Sequence, residues 1–144
     1  MTDIVVDSNL IAAIAIPLPY SDAAQKLIAE WKKAGFVIGG PVLWEYEFTT
    51  VLRRAQYHGL LTMEQMARAL QRVSILNIQS LLPSDGLHRS ALFWAERLKQ
   101  SRAYDAQYLA LAEELSAEFW TGDKRLANGA RSLGINWVHW VGEG

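Results

Sequence analysis

Short β-branched or apolar runs alternate with helical segments along the whole chain, and no two runs are joined by a turn tight enough for a hairpin. That alternation constrains the fold more than any other feature. Strands that are not hairpin partners pair in parallel, and a parallel pair needs a crossover connection, which the intervening helices supply. The first run, Ile4-Val5-Val6, is apolar throughout, the profile of a strand covered on both faces. The pattern predicts an α/β fold of three layers, α/β/α, around a mainly parallel sheet of about five strands. In such a sheet the ligand crevice lies beyond the carboxyl ends of the strands.

The remaining elements follow from local signals. Ser8-Asn9 starts a helix that Pro17 stops, and Ser21-Asp22 are N-cap types for a second, with Ala24, Leu27, Ile28 and Trp31 at helical spacing. Gly35 ends that helix and Phe36-Val37-Ile38 reads as the next strand. A turn at Gly39-Gly40-Pro41 leads into a long helix from about Leu43 to Tyr57, closed by His58-Gly59. Thr62 and Gln65 form a capping-box pattern for another helix, after which Ile75-Leu76-Asn77-Ile78 reads as a strand. Ser84 caps a helix running towards Lys99, and Tyr104-Asp105 opens one running towards Leu115. Glu118 to Thr121 is a short strand, Asp123 starts a short helix, and Ile135 to Val138 is the final strand.

Composition excludes several classes of protein. At 144 residues, 51% hydrophobic and 20% charged, the chain has the size and balance of one globular domain spanning 1–144. Without cysteine it has neither disulfides nor a thiolate metal site, which suits a reducing compartment, and His58, His88 and His139 lie far in sequence from the acidic motifs, against zinc. Fourteen Lys and Arg against 15 Asp and Glu leave a net charge of −1, so nucleic acid would be held by a local patch or a metal, not by bulk charge. The N-terminal MTDIVVDSN lacks the basic region of a signal peptide, and the apolar stretch Leu10 to Tyr20 is too short for a bilayer and is broken by Pro17 and Pro19. The expected location is cytoplasmic.

Four acids carry the chemistry. Asp7 follows the first strand and Asp123 lies just beyond the fourth, so both belong to the carboxyl edge; Asp105 opens a helix with small and apolar flanks. Glu47 stands among Trp44, Phe48 and Val51. Each also has a purely structural reading: Asp7, Asp105 and Asp123 as helix N-caps, Glu47 as a solvated residue pairing with Arg54. If the four converge, their mutual repulsion demands protons or a cation. An all-oxygen donor set suits Mg²⁺ or Mn²⁺, and the natural chemistry of such a centre is phosphodiester hydrolysis.

Four segments in order, Ile4-Val5-Val6-Asp7-Ser8-Asn9, Glu47 to Arg54, Tyr104 to Ala112 and Trp120 to Leu126, resemble the PIN-domain family, and within it the VapC-type ribonuclease toxins of toxin–antitoxin pairs. The resemblance implies that Asp7, Glu47, Asp105 and Asp123 form a catalytic quartet that binds Mg²⁺ or Mn²⁺ and positions the water attacking an RNA phosphodiester. It implies Asp7 and Asp105 as the most direct metal ligands, Glu47 as a ligand or water-orienting group, and Asp123 as a ligand reached through water. Ser8, Asn9 and Thr121 are the polar residues expected to support those acids.

Two features depart from or complicate the family pattern. Thr50 stands where the family often has Asn, and Glu45 competes with Glu47. Residues two apart on a helix differ by about 200°, so both cannot face one site; Glu47 keeps the spacing to Val51-Leu52-Arg53-Arg54 and is preferred.

For RNA, Lys124, Arg125 and Arg102 are the main phosphate contacts expected, with Arg53 and Arg54 also near the motifs, although each also reads as a solvated helix end. By resemblance the partners are a small cognate antitoxin protein and a second copy of the chain in a homodimer, the antitoxin packing along a groove near Trp31, Leu52, Tyr57 and Leu61. Two alternatives stay open: a PIN nuclease of RNA processing without an antitoxin, and a non-catalytic PIN-like module that binds RNA or protein. A phosphatase-like or response-regulator domain lacks its phospho-acceptor and lysine pattern here.

Overall fold

The computed structural model describes residues 1–143. Five strands, β1 (Ile4–Val6), β2 (Ile38–Pro41), β3 (Gln79–Leu81), β4 (Glu118–Thr121) and β5 (Val138–Trp140), form one sheet in the order β3-β2-β1-β4-β5. Every pairing is parallel, as the alternation predicts. The helices are α1 (Ser8–Ala15), α2 (Ser21–Lys33), α3 (Leu43–Tyr57), α4 (Met63–Ile75), α5 (Asp85–Arg97), α6 (Tyr104–Leu115) and α7 (Lys124–Ser132), and a 3₁₀ turn follows at Val141–Glu143.

Two neighbouring side chains of β4 reveal the layers. Successive strand residues leave opposite faces of the sheet. Phe119 stacks on Tyr108 of α6 with 5.9 Å between ring centroids, while Trp120 meets Trp31 of α2 at 5.7 Å. Helices α6 and α2 therefore cover opposite faces, which makes three layers. Helix α6 is buried almost all round, at Ala106 and from Tyr108 to Ala112, because α5 packs along it from outside while the sheet holds its inner side. No helix among the described residues is long and apolar enough to cross a membrane.

Three strands begin later than their apolar runs suggest, and helix closure explains two of them. At the end of α2, Gly35 (φ 79°) donates to the Lys32 carbonyl and Phe36 to that of Trp31, a Schellman closure that uses Phe36 to finish the helix. Strand β2 consequently starts at Ile38 and takes in Gly39-Gly40-Pro41, which are strand and not turn. The same closure at Gly134 (φ 83°) and Ile135 ends α7 and delays β5 to Val138. The expected strand at Ile75-Leu76-Asn77-Ile78 is instead the end of α4 and its exit: Ile75 is helical and 81% exposed, and Asn77 turns the chain at φ 55° before β3.

The helix starts agree more closely. Thr62 and Gln65 make the full capping box and Ser84 caps α5. Ser21 does not cap α2; its hydroxyl accepts from Leu18 N at 2.8 Å and donates to the Ile16 carbonyl at 3.0 Å, tying down the proline loop.

Candidate active site

In this strand order the chain goes from β1 outwards to β2 and β3, then returns to the other side of β1 with β4. The connection reverses between β1 and β4, which is where open α/β sheets bind ligands. The register pairs Val6 with Trp120, so the next residues, Asp7 and Thr121, leave that crevice side by side. The Thr121 hydroxyl donates to Asp7 Oδ2 and accepts from Asp123 N at 2.9 Å, linking the two strand-end acids through one fully buried side chain.

Asp7 is 4% exposed, and burial pushes its carboxyl up to about 6 against the hydrogen bonds from Thr121, Leu10 N and Gly122 N. Its Oδ1 takes Leu10 N at 3.0 Å and Gly122 N at 3.3 Å, so it caps α1 and faces the crevice at once. Asp123 caps α7 through Oδ1, which accepts from Arg125 N (2.9 Å) and Leu126 N (3.2 Å). The capping reading fails for Asp105: Ala103 is the N-cap of α6, and Asp105 accepts instead from Gln100 Nε2 at 3.2 Å. Burial raises the Asp105 carboxyl, with the Asp123 charge adding to it.

Helix α3 brings Glu47 to the same edge. Its Oε1 accepts from the Tyr108 hydroxyl at 2.7 Å and from Ser8 Oγ at 3.4 Å; it makes no ion pair with Arg54. Burial raises this carboxyl too, and Asp105 adds to the rise. Glu45 turns elsewhere, as the helical rotation requires: its carboxylate accepts from Ser80 Oγ at 2.6 Å in a separate cavity lined by Trp44, Phe48 and Leu70.

Asp7, Glu47 and Asp105 line one cleft of about 400 Å³ with Ser8, Asn9, Thr50, Arg54 and Arg102. Asp105 also lines the neighbouring cleft of about 450 Å³, together with Asp123, Lys99, Gln100 and Arg125. Asp105 is thus the hinge between the two halves of the acidic edge. Among the described residues, no three His, Asp or Glu side chains are grouped closely enough to hold an ion by themselves. The donor set still fits Mg²⁺ or Mn²⁺: every donor is oxygen, the acids are desolvated and sense one another's charge, and Mg²⁺ binds through one or two carboxylates with water in its other positions.

Some basic residues expected at RNA stand elsewhere. Lys124 lies over the Trp140 ring, 4.9 Å from its centroid, and Arg53 lies over Tyr57 at 5.4 Å; neither lines an acidic cleft. The tryptophans are mainly packing residues, with Trp31, Trp44 and Trp94 buried. Trp31 and Leu52 are also buried, so they cannot line an open groove, whereas Tyr57 is exposed.

Tyr108, Gln100 and Tyr20 were missed as site residues. Tyr108 follows Asp105 by three on α6 and so shares its face, a signal the sequence does contain. Tyr20 has no such signal; its hydroxyl approaches the Asn9 carbonyl at 3.4 Å, and burial raises its pKa, with the charges of Asp7 and Asp123 adding to the rise.

The PIN domain model matches residues 4–132. The crystal structure of PAE2754 from Pyrobaculum aerophilum is similar in fold, with a TM-score of 0.67 at 21% identity over 99% of this chain and 92% of that one. No curated protein matches the chain. With an all-parallel five-stranded sheet whose carboxyl edge gathers acids, the chain belongs to the PIN domain family, whose members are generally metal-dependent nucleases.

Proposed function

We propose that the chain is a Mg²⁺- or Mn²⁺-dependent endoribonuclease and the toxin of a toxin–antitoxin pair. The observation that carries the nuclease part is the gathering of Asp7, Glu47 and Asp105 in one cleft, with Asp123 beside Asp105 in the next, at the reversal point of the sheet. Asp7 and Asp105 would hold the cation, with Glu47 and Asp123 as further or water-bridged ligands. When bound, the ion supplies a water of lowered pKa and neutralises charge developing on the phosphate.

The chain's own residues prepare that site. Thr121, Leu10 N and Gly122 N hold the Asp7 carboxylate in place, and Gln100 holds one oxygen of Asp105. Arg54 and Arg102 line the first cleft and Arg125 the second, where their guanidinium groups suit RNA phosphates. Thr50, in place of the usual Asn, lines the first cleft with a shorter hydroxyl.

The toxin part rests on the four matching segments and on exposed apolar side chains. Tyr57, Leu60, Met63 and Ile75 on and between α3 and α4, and Leu92 and Phe93 on α5, are surface that suits a second copy of the chain or a small antitoxin. Co-purification with the product of a neighbouring gene, and growth arrest relieved by it, supports this; no arrest when the chain is expressed without that product returns the chain to RNA processing.

The deciding experiment is cleavage of total RNA and isolated tRNAs by the purified chain beside Asp7→Asn, with Mg²⁺, Mn²⁺ and EDTA arms. Metal-dependent cleavage absent from Asp7→Asn is the expected result. No cleavage by a folded wild type that binds metal favours the binding-module reading.

A further inference from the structure

We propose that Tyr108 is the positioning residue that fixes the orientation of the Glu47 carboxylate towards the acidic cleft; this rests on the nuclease reading of that cleft. Tyr108 is 1% exposed, and its ring has almost no freedom. One face lies against Phe119 of β4, with ring planes 16° apart. Near its edge is Gly40 of β2, where an added Cβ would lie 3.7 Å from Tyr108 Cε1 and 3.0 Å from the Val6 carbonyl oxygen. A Cβ there would press on the Val6 carbonyl while meeting the phenol only at ordinary contact distance.

The fixed ring delivers its hydroxyl to Glu47 Oε1 at 2.7 Å, and Ser8 Oγ reaches the same oxygen at 3.4 Å. Oε2 receives no hydrogen bond from the described residues. A glutamate's terminal torsion is broad, so an untethered Glu47 would turn its carboxylate plane through many orientations. Two donors on one oxygen remove that freedom and leave the other oxygen for the cleft. Phe would preserve the stack but not this tether.

The test combines metal-free crystal structures of the wild type and Tyr108→Phe with calorimetric Mn²⁺ titrations of the wild type, Tyr108→Phe, Glu47→Gln, the double variant and Ser8→Ala. In Tyr108→Phe, Glu47 should leave its wild-type orientation, and Mn²⁺ affinity should fall by about 10–100-fold, the usual effect of losing a partner behind a ligand. In the Glu47→Gln background the same change should alter affinity by less than about twofold, because Tyr108 acts through Glu47. Ser8→Ala, at the longer bond, should cost less than Tyr108→Phe.

The proposal is overturned if Glu47 stays in place in Tyr108→Phe, if the loss recurs in full in the double variant, or if Ser8→Ala costs as much. A wild type that binds no Mn²⁺ while Glu47 moves in Tyr108→Phe overturns the nuclease reading and leaves the positioning intact.

Discussion

In the metal-free protein Asp7→Asn should gain stability relative to the wild type as pH rises from about 4 to above 6. The wild-type carboxyl is raised by burial from 3.8 to about 6. Each pKa unit is worth about 1.4 kcal/mol, so ionised Asp7 costs the folded state about 3 kcal/mol relative to its protonated form. The sign follows from proton counting. Between pH 4 and 6 the folded chain keeps a proton that the unfolded chain has released, so this group's contribution is fully present below about pH 4 and is lost as pH rises through about 6.

Asn is the neutral isostere and an equally good N-cap, so Oδ1 can keep its bonds from Leu10 N and Gly122 N. Thr121 is the complication. Its hydroxyl donates to Asp7 Oδ2, and an Asn amide nitrogen there cannot accept, which costs about 1–3 kcal/mol in so buried a place. That cost does not depend on pH, whereas the relief of the buried charge does. The difference in stability between Asp7→Asn and wild type should therefore move by about 3 kcal/mol in the variant's favour from pH 4 to pH 7.5. With a urea slope of about 2 kcal/mol per molar, the midpoints separate by on the order of 1.5 M over that range in EDTA. A constant separation across the range would refute the claim that burying this carboxylate is costly.

Mn²⁺ at 100 times its dissociation constant should stabilise the wild type by about 2.7 kcal/mol and leave Asp7→Asn unmoved in thermal melts. Thr121→Val, which removes the hydroxyl shared by Asp7 and Asp123 N, should cost about 1–3 kcal/mol in urea melts at pH 7.5. Gly122→Ala should destabilise by about 1–3 kcal/mol, because its Cβ would meet Tyr20 Oη at 2.8 Å and Asn9 Cβ at 3.0 Å; Tyr20→Ala in the same chain should recover part of the loss. Arg102→Gln and Arg125→Gln should each reduce the salt slope of RNA binding by about one, measured by fluorescence anisotropy, whereas Lys124→Gln should leave it unchanged because Lys124 sits over Trp140.

Long helices and parallel pairing could be read from the sequence because many residues vote for them: α3 and α6 run over the expected spans, and β4 does so as well. Strand starts could not, because Phe36 and Ile135 look like strand residues but finish the helices before them through backbone bonds that no apolar pattern records. Ile75 misled for a related reason, since a β-branched residue on the exposed side of a helix end resembles the start of a strand. Rotation separates Glu47 from Glu45 and motif spacing favours Glu47, but the partners, Tyr108 and Ser80, come from elements far along the chain.

The structural and functional readings of the acids do not exclude each other, and for two of the acids the geometry satisfies both. A strand followed within two residues by an Asp that caps the next helix must turn at the carboxyl edge, so the capping side chain also stands in the crevice. Asp7 and Asp123 both do this. Capping occupies Oδ1 of Asp123 with two backbone donors and leaves Oδ2 without one among the described residues. Gln100 leaves Oδ1 of Asp105 in the same condition, and Tyr108 with Ser8 leaves Oε2 of Glu47 so. Three acids on three helices each have one oxygen held by neighbours and one left over. Such an arrangement fixes carboxylate orientation before any ligand arrives, and the local hydrogen bonds that favour folding also prepare the site.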